Sequence, residues 1–212
     1  MADTVTSSRS AGFRRVRLVI WGLVALALVV LAVLLLRPVP TTGQSATTPT
    51  SFTLGGPFTL TGADGRPFSS TQLAGKPYTV FFGFTHCPDV CPNTLARLAK
   101  LRQELGQGED AYRIVFITVD PERDTPEAVG AYAELFDTPI IGLTGSRAQI
   151  DQVAKQHAIH QARAPSPDAP DGYTMDHGAT TLLFDSAGEF VSTISPEESD
   201  AVALDKLRRI AA

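Results

Sequence analysis

Residues 78–91, "YTVFFGFTHCPDVC", decide the fold, because they join an apolar run to two cysteines and then to the start of a helix. A short continuous apolar run rich in β-branched and aromatic residues is typical of a strand buried on both faces. This strand is predicted to end at about Phe84, and the helix to extend over about residues 92–105. Cys87 therefore follows the end of the strand, and Cys91 lies at the entry to the helix.

The chain on either side of this stretch alternates between predicted strands and helices. A hairpin around Asp64-Gly65 is predicted before the central strand. The elements predicted after the first helix are a strand at 112–119, a helix at 126–136, a strand at 139–143, a helix at 147–157, a polar loop at 162–176, a hairpin formed by 179–185 and 189–194, and a helix at 196–210. Apolar strands joined by helices imply a parallel β-α-β core, to which the hairpins add antiparallel edges. We therefore expect an α/β protein with a thioredoxin-like fold and an N-terminal hairpin.

Residues 18–36, "LVIWGLVALALVVLAVLLL", are predicted to form a single transmembrane helix. They carry no charge, and at about 1.5 Å per residue they are long enough to cross a hydrocarbon core about 30 Å thick. A cleaved signal peptide is the competing interpretation, but its apolar region is about 7–15 residues long and ends at an A-x-A-like site. No such site closely follows this run, so an uncleaved anchor is favoured.

The flanking charges predict the orientation of this anchor. Four arginines precede the span and only Arg37 follows it closely, and excess Lys and Arg stays on the cytoplasmic side. We therefore expect residues 1–17 to form a cytoplasmic tail and residues 37–51, rich in Pro, Ser and Thr, to form a flexible linker. Residues 52–212 would form the thioredoxin-like domain, placed in the periplasm by an anchor in the inner membrane of a bacterium.

The charge after the anchor excludes one class of partner. Beyond residue 37 the chain has 13 basic and 21 acidic residues, a formal charge of −8. Such a domain repels phosphate backbones, so we expect no nucleic-acid partner.

The spacing of the two cysteines leaves two chemistries open. Cys87 and Cys91 are separated by three residues, whereas a Cys-x-x-Cys spacing is typical of thioredoxin-like redox sites. In a helical turn their Cα atoms would lie about 6 Å apart, which a disulfide tolerates. The start of a helix also favours thiolates over thiols. Both a disulfide between them and a shared metal ion are therefore possible.

A third ligand would favour the metal, and His177 is the candidate. It precedes the late strand, which in a thioredoxin-like fold returns beside the start of the first helix. Two thiolates and an imidazole suit copper as Cu(I) and as Cu(II), and are too few for a closed zinc site with four protein ligands. His157 and His160 are expected to be an exposed pair at a helix end, and His86 to support the site without binding the metal.

Three aspartates are placed to act near these residues. Asp120 ends a buried strand at the same sheet edge as Cys87 and is a candidate for a hydrogen bond near the metal loop. Asp124 is expected to cap the following helix. Asp176 precedes His177 and is a candidate to orient its imidazole.

Three motifs together resemble the Sco/SenC family of membrane-anchored copper proteins: "FGFTHCPDVCP" at 82–92, "VDPERDTPE" at 119–127 and "DHGATTLLFD" at 176–185. The resemblance implies that Cys87, Cys91 and His177 bind one copper ion. It also implies a metallochaperone that delivers copper to the dinuclear copper centre of cytochrome c oxidase subunit II. Other copper chaperones and thiol reductants are the further partners that this role suggests.

The residues themselves leave open whether the protein is an enzyme. A thiol-disulfide oxidoreductase that keeps the cysteines of subunit II reduced would need only Cys87 and Cys91 as a redox-active pair. A peroxidase-like enzyme is the weakest alternative, because the P-x-x-x-T-x-x-C arrangement of the related peroxiredoxins is absent.

Overall fold

The computed structural model describes residues 18–26, 28, 54–108, 111–169 and 171–211. The chain divides into two compact units, Met1–Ser51 and Phe52–Ala212. In the first unit the described residues are helical and exposed. The expected cytoplasmic tail, the linker and residues 27 and 29–36 of the expected anchor lie outside the described residues. Within the residues that are described, no helix combines the length and the apolar character needed to cross a membrane.

The second unit is a mixed α/β domain. Its strands are β1 (Thr59–Gly62), β2 (Pro67–Ser69), β3 (Tyr78–Gly83), β4 (Arg113–Thr118), β5 (Ile140–Thr144), β6 (Gln161–Pro165), β7 (Tyr173–His177), β8 (Thr181–Phe184) and β9 (Phe190–Ile194). Its α-helices are α1 (Val90–Glu104), α2 (Pro126–Ala133), α3 (Arg147–Gln156) and α4 (Asp200–Ala211), with 3₁₀ turns at Ser70–Leu73 and Glu134–Phe136. The helices and most strands lie close to the positions predicted from the sequence.

The main sheet has the strand order β2-β1-β5-β4-β3-β8-β9. Strands β3, β4 and β5 are parallel, with Val80 opposite Val115 and Phe81 opposite Phe116. The strands on either side of these three are antiparallel. Every residue of β3 is buried, as the apolar run predicts for a strand covered on both faces. The predicted parallel β-α-β core with antiparallel edges and an N-terminal hairpin is confirmed.

The segment predicted as a polar loop at 162–176 is instead a β-hairpin. Strands β6 and β7 pair antiparallel as a separate two-stranded sheet, in which Gln161 lies opposite His177 and Arg163 opposite Met175. The prediction was wrong because the segment has too few apolar residues for the alternation that reveals a half-buried strand. Met175 is the exception, since it is 7% exposed and packs into the core.

His157 is buried, which contradicts the expectation of an exposed side chain at a helix end. It is 2% exposed, and its ring contacts the aromatic rings of Phe58, Phe82 and Phe184. Its Nδ1 lies 2.8 Å from the carbonyl oxygen of Val153. The aromatic residues come from distant parts of the chain, so the helix alone could not reveal this pocket. His160 is exposed, as expected.

Burial of His157 predicts a loss of stability in mild acid. Desolvation lowers the pKa of His157 in the folded protein, so the unfolded chain takes up the proton first as the pH falls past about 6.5. The free energy of unfolding, measured by urea denaturation, should therefore decrease as the pH is lowered from 7.5 to 5.5. In His157→Gln the free energy of unfolding should decrease less over the same interval. His160→Gln is the matched control and should keep the parental slope. If the free energy of unfolding had the same pH dependence in the parent and in His157→Gln, this account would be contradicted.

Candidate metal centre

The end of β3 is shaped to receive a sulfur atom. Gly83 is its last residue, and a Cβ at this position would lie 2.9 Å from the Sγ of Cys91 and 3.0 Å from the rings of Phe81 and Phe116. A side chain at Gly83 would therefore displace the sulfur. The absence of one lets Cys91, which is fully buried, pack directly against the strand.

The two cysteines lie on either side of the start of α1. Cys91 is the second residue of the helix, and its N–H donates to the Sγ of Cys87 at 3.3 Å. The residue at the N-cap position, Asp89, makes no capping hydrogen bond with its side chain. The sulfur of Cys87 thus accepts one of the N–H groups that a helix leaves free at its start. The two cysteines form no disulfide in this structure, and Cys87 is half-buried.

The two sulfur atoms have opposite acidities. A hydrogen bond from the Cys91 side chain, with smaller contributions from backbone N–H groups, lowers the pKa of Cys87 to about 4 despite partial burial. The same hydrogen bond and desolvation raise the pKa of Cys91. At neutral pH the metal-free centre therefore holds a thiolate at Cys87, stabilised by the helix terminus, and a thiol at Cys91.

His177 brings an imidazole to these sulfurs from the end of β7. Its Nε2 lies 3.5 Å from the Sγ of Cys91, and its Nδ1 lies 3.1 Å from the carbonyl oxygen of Gly178. A carbonyl only accepts, so this geometry assigns the proton to Nδ1 and leaves the lone pair of Nε2 facing the sulfurs. The edges of Phe81 and Phe84 pack around the ring.

The donor atoms of Cys87, Cys91 and His177 all lie within 4.8 Å of one another. In zinc sites, nitrogen and sulfur donors lie about 2.0–2.3 Å from the ion. Three donors at that distance in a trigonal plane are about 3.5–4 Å from one another. A shift of less than about 1 Å would therefore close the three donors around an ion of this size. Their chemistry, two sulfurs and one imidazole, suits copper.

Asp124 has a role that the sequence did not predict. It is fully buried and accepts hydrogen bonds from the backbone N–H of Thr85 at 2.9 Å, from the Thr85 hydroxyl at 2.6 Å and from the Thr118 hydroxyl at 2.5 Å. The expected capping role is wrong, because Thr125 caps α2 by accepting from the N–H of Ala128. Threonine is itself a good cap, and its presence next to Asp124 was the signal that the carboxylate was available for another contact.

The three candidates for supporting contacts lie outside the cluster of donor atoms. His86 is exposed, and its Nδ1 lies 3.0 Å from the Thr85 hydroxyl and 3.6 Å from the Asp124 carboxylate. Asp176 is exposed, and the Gly178 carbonyl rather than this side chain is hydrogen-bonded to the imidazole of His177.

Asp120 is fully buried at the end of β4, as its position in the sequence predicted, but its contacts are not with the cysteines. Its carboxylate instead contacts Arg123 and Tyr173, the first residue of β7. Asp120 therefore reaches the hairpin that carries His177 and not the candidate donor atoms themselves.

A parallel β-α-β core with two cysteines at a strand–helix junction defines a thioredoxin-like protein, and the nearby histidine completes a candidate metal centre. The family model described as SCO1/SenC matches residues 46–212. The chain belongs to the SCO1/SenC family, and the resemblance of its three motifs is confirmed.

Similar proteins occur in bacteria and in mitochondria. The SCO2-like protein RP587 of Rickettsia prowazekii is 37% identical over 152 residues, which cover 72% of this chain and 74% of that protein. The mitochondrial protein SCO2 of Saccharomyces cerevisiae is 37% identical over 160 residues, covering 74% of this chain. The aligned region spans about half of the yeast protein, 53% of its length.

One solved structure is similar in both fold and sequence. The structure of Bradyrhizobium japonicum ScoI with copper bound matches with a TM-score of 0.66 and 39% identity, over 74% of this chain and 99% of that one. The thioredoxin-like fold agrees with this likeness, and copper is the metal that was expected from the sequence.

The unequal acidities predict selective alkylation. In the reduced, metal-free protein, iodoacetamide should modify Cys87 well before the buried Cys91, at a rate that does not change between pH 6 and 8. The reason is that a group with a pKa of about 4 is already a thiolate in this range. Peptide mapping by mass spectrometry measures both sites. In Cys91→Ala the largest cause of the lowered pKa is lost, so alkylation of Cys87 should slow at pH 6; equal labelling of both cysteines in the parent would contradict the assignment.

Proposed function

We propose that this protein binds one copper ion through Cys87, Cys91 and His177 and delivers it to the dinuclear copper centre of cytochrome c oxidase subunit II. The observation that carries the proposal is the convergence of two sulfurs and one imidazole nitrogen within 4.8 Å. Family membership and the copper-bound structure of a relative with 39% identity support it.

The unequal exposure of the ligands suggests a direction for copper transfer. Cys91 is fully buried, whereas Cys87 is half-buried and lies before the helix. An incoming thiolate of the partner reaches the copper most readily on the side of Cys87 and replaces it there. Cys91 and His177 hold the ion until a second ligand of the partner binds.

A second candidate function, thiol-disulfide exchange, is favoured by the acidity of Cys87. Its thiolate would attack a disulfide of the partner, form a mixed disulfide and release one partner thiolate. Cys91 would then attack the sulfur of Cys87, which releases the second partner thiolate and leaves a Cys87–Cys91 disulfide. The partner disulfide is thereby reduced, and an external thiol reductant must restore the cysteine pair. A disulfide has no thiolate to offer, so this oxidised form cannot hold copper.

The proposed placement in the cell rests on the sequence before residue 52. Residues 18–36 would anchor the protein in the bacterial inner membrane as a single span. Residues 1–17 would lie in the cytoplasm, and the linker at 37–51 would let the periplasmic domain reach its partner. The uncharged run and the arginines that precede it support this topology.

The role of His177 separates copper delivery from thiol exchange, since exchange needs no imidazole ligand. His177→Ala should weaken Cu(II) binding by about 10–100-fold or more, the scale reached even by losses outside the ligand set. Loss of either cysteine should be more severe. The same variant should form and reduce its disulfide normally yet fail to support a copper-loaded oxidase in cells. Copper titration and oxidase assays measure both properties.

His160→Ala is the matched control, because His160 is exposed and lies outside the cluster of donors. It should bind copper and support the oxidase like the parent. If His177→Ala did the same, His177 would not be a ligand and thiol exchange would become the better proposal.

The proposed topology is tested with reporters fused after Ala212. A reporter that is active only in the periplasm should give a signal, and one that is active only in the cytoplasm should not, because the excess of arginine retains the N-terminus inside. Replacing the four arginines before the span by glutamine should weaken this preference. A strong cytoplasmic signal from the parent fusion would refute the proposed localisation.

A further inference from the structure

The two kinds of metal-binding residue are held by different parts of the fold. Cys87 and Cys91 are fixed by β3 and the start of α1, whereas His177 ends the hairpin β6–β7. This hairpin is not part of the main sheet, and a two-stranded hairpin is marginally stable by itself. The position of His177 relative to the sulfurs therefore depends on the contacts that hold the hairpin against the body of the domain.

One buried carboxylate provides the first of these contacts. Asp120 follows β4 at the sheet edge and is fully buried. The hydroxyl of Tyr173 lies 3.2 Å from each of its carboxylate oxygens and donates to it. The Nε of Arg123 donates to the same carboxylate. A single ionised group thus binds both the first residue of β7 and a neighbouring cation.

Arg123 holds the same residue of the hairpin in two further ways. Its Nη1 lies 3.4 Å from the carbonyl oxygen of Tyr173, and its guanidinium carbon lies 3.9 Å from the centroid of the Tyr173 ring. The guanidinium also lies 5.8 Å from the ring of Phe84, which packs perpendicular to the imidazole of His177 at 5.7 Å. The contacts of Arg123 therefore extend from the hairpin to the residue that supports the imidazole.

These contacts are strong because of where they lie. The side chains of Asp120 and Arg123 are 0% and 10% exposed, so water screens their attraction little, and hydrogen bonds to charged groups are stronger than neutral ones. Arg163 also lies 3.9 Å from the Tyr173 ring centroid, and it pairs with Glu122 at 3.7 Å. That outer pair is about half-exposed and contributes less.

We propose that Asp120, Arg123 and Tyr173 form a clasp that sets the position of His177 and thereby favours Cu(II) over Cu(I). The inference rests on the proposed function, in which His177 is a copper ligand. Two thiolates satisfy the soft Cu(I) ion, whereas Cu(II) gains more from the imidazole. A loosened clasp leaves the sulfurs in place and withdraws the nitrogen. Tyr173 acts as a positioning residue and touches none of the donor atoms.

The test uses the full chain in detergent with three variants. Tyr173→Leu removes both the hydroxyl and the ring, and Tyr173→Phe removes the hydroxyl alone. Tyr112→Phe is the matched control, because its buried hydroxyl donates to the carbonyl of Leu98 at 2.6 Å, at the opposite end of β4 from Asp120. The control loses a buried hydrogen bond without touching the clasp.

Two kinds of measurement are made. In the metal-free protein, amide hydrogen exchange reports how firmly β7 is held. In the copper-loaded protein, competition titrations give the Cu(II) and Cu(I) affinities, and electron paramagnetic resonance gives the coupling of Cu(II) to an imidazole nitrogen.

In Tyr173→Leu the amides of β7 should exchange faster. The Cu(II) affinity should fall by about 10-fold or more, and the coupling of Cu(II) to the imidazole nitrogen should weaken. Its Cu(I) affinity should change by less than about 3-fold, since both thiolates remain. The exchange rate of β7 and the Cu(II) affinity of Tyr173→Phe should lie between those of Tyr173→Leu and the parent, because the ring contact is kept. Tyr112→Phe should retain the parental ratio of the two affinities.

Parental exchange in β7 together with a parental ratio of affinities in Tyr173→Leu would overturn the proposal. If Tyr173→Leu does not fold, the same comparison is decided by Tyr173→Phe. Failure of the proposed function is recognised separately, because His177→Ala would then bind Cu(II) like the parent. In that case the copper preference assigned to the clasp fails as well, and the exchange of β7 in the Tyr173 variants decides only whether the clasp holds the hairpin.

Discussion

The parallel pairing of β3 with β4 is the constraint on which the site depends. Gly83 and Thr118, the last residues of the two strands, lie opposite each other in the ladder. The chain that follows each strand must therefore start at the same edge of the sheet, where open α/β sheets collect their functional groups. After β3 it carries Cys87, and after β4 it carries Asp120 and Asp124. The pairing thus brings both sulfurs and both buried carboxylates to one edge.

The two carboxylates divide the support of the site between them. Asp124 accepts three hydrogen bonds from Thr85 and Thr118 and thereby fixes the loop that leads to the first cysteine. Asp120 contacts Tyr173 and thereby reaches the hairpin that leads to the histidine. The cysteine side of the site is consequently held by local structure, and the histidine side by contacts across the sheet edge.

Sequence reasoning succeeded where the physical signal was local. The continuous apolar runs predicted β3 and β4, and the junction between a buried strand and a helix marked Cys87 and Cys91 as a candidate site. His177 was predicted to lie near them less directly, from the place where a thioredoxin-like chain returns to that junction.

The predictions that failed depended on contacts with distant residues. The burial of His157 is created by aromatic rings from three other segments, and the hairpin β6–β7 is held by the buried Met175 and by the contact of Tyr173 with Asp120. Asp124 was misassigned because it precedes a helix, while its actual partners, Thr85 and Thr118, lie in the loop after β3 and at the end of β4. Local patterns cannot report such pairings.

The charges around the centre bear on which form of copper it holds best. Two thiolates and one Cu(II) ion are together neutral, whereas two thiolates and one Cu(I) ion keep a net negative charge. Asp124 adds a buried carboxylate nearby whose hydrogen-bond donors are uncharged, and it is among the groups that raise the pKa of Cys91. Arg123 does not offset this charge, since its own is paired with Asp120. Like charges in a poorly screened environment repel, so in the proposed site electrostatics would favour the neutral Cu(II) form, in the same direction as the imidazole of His177.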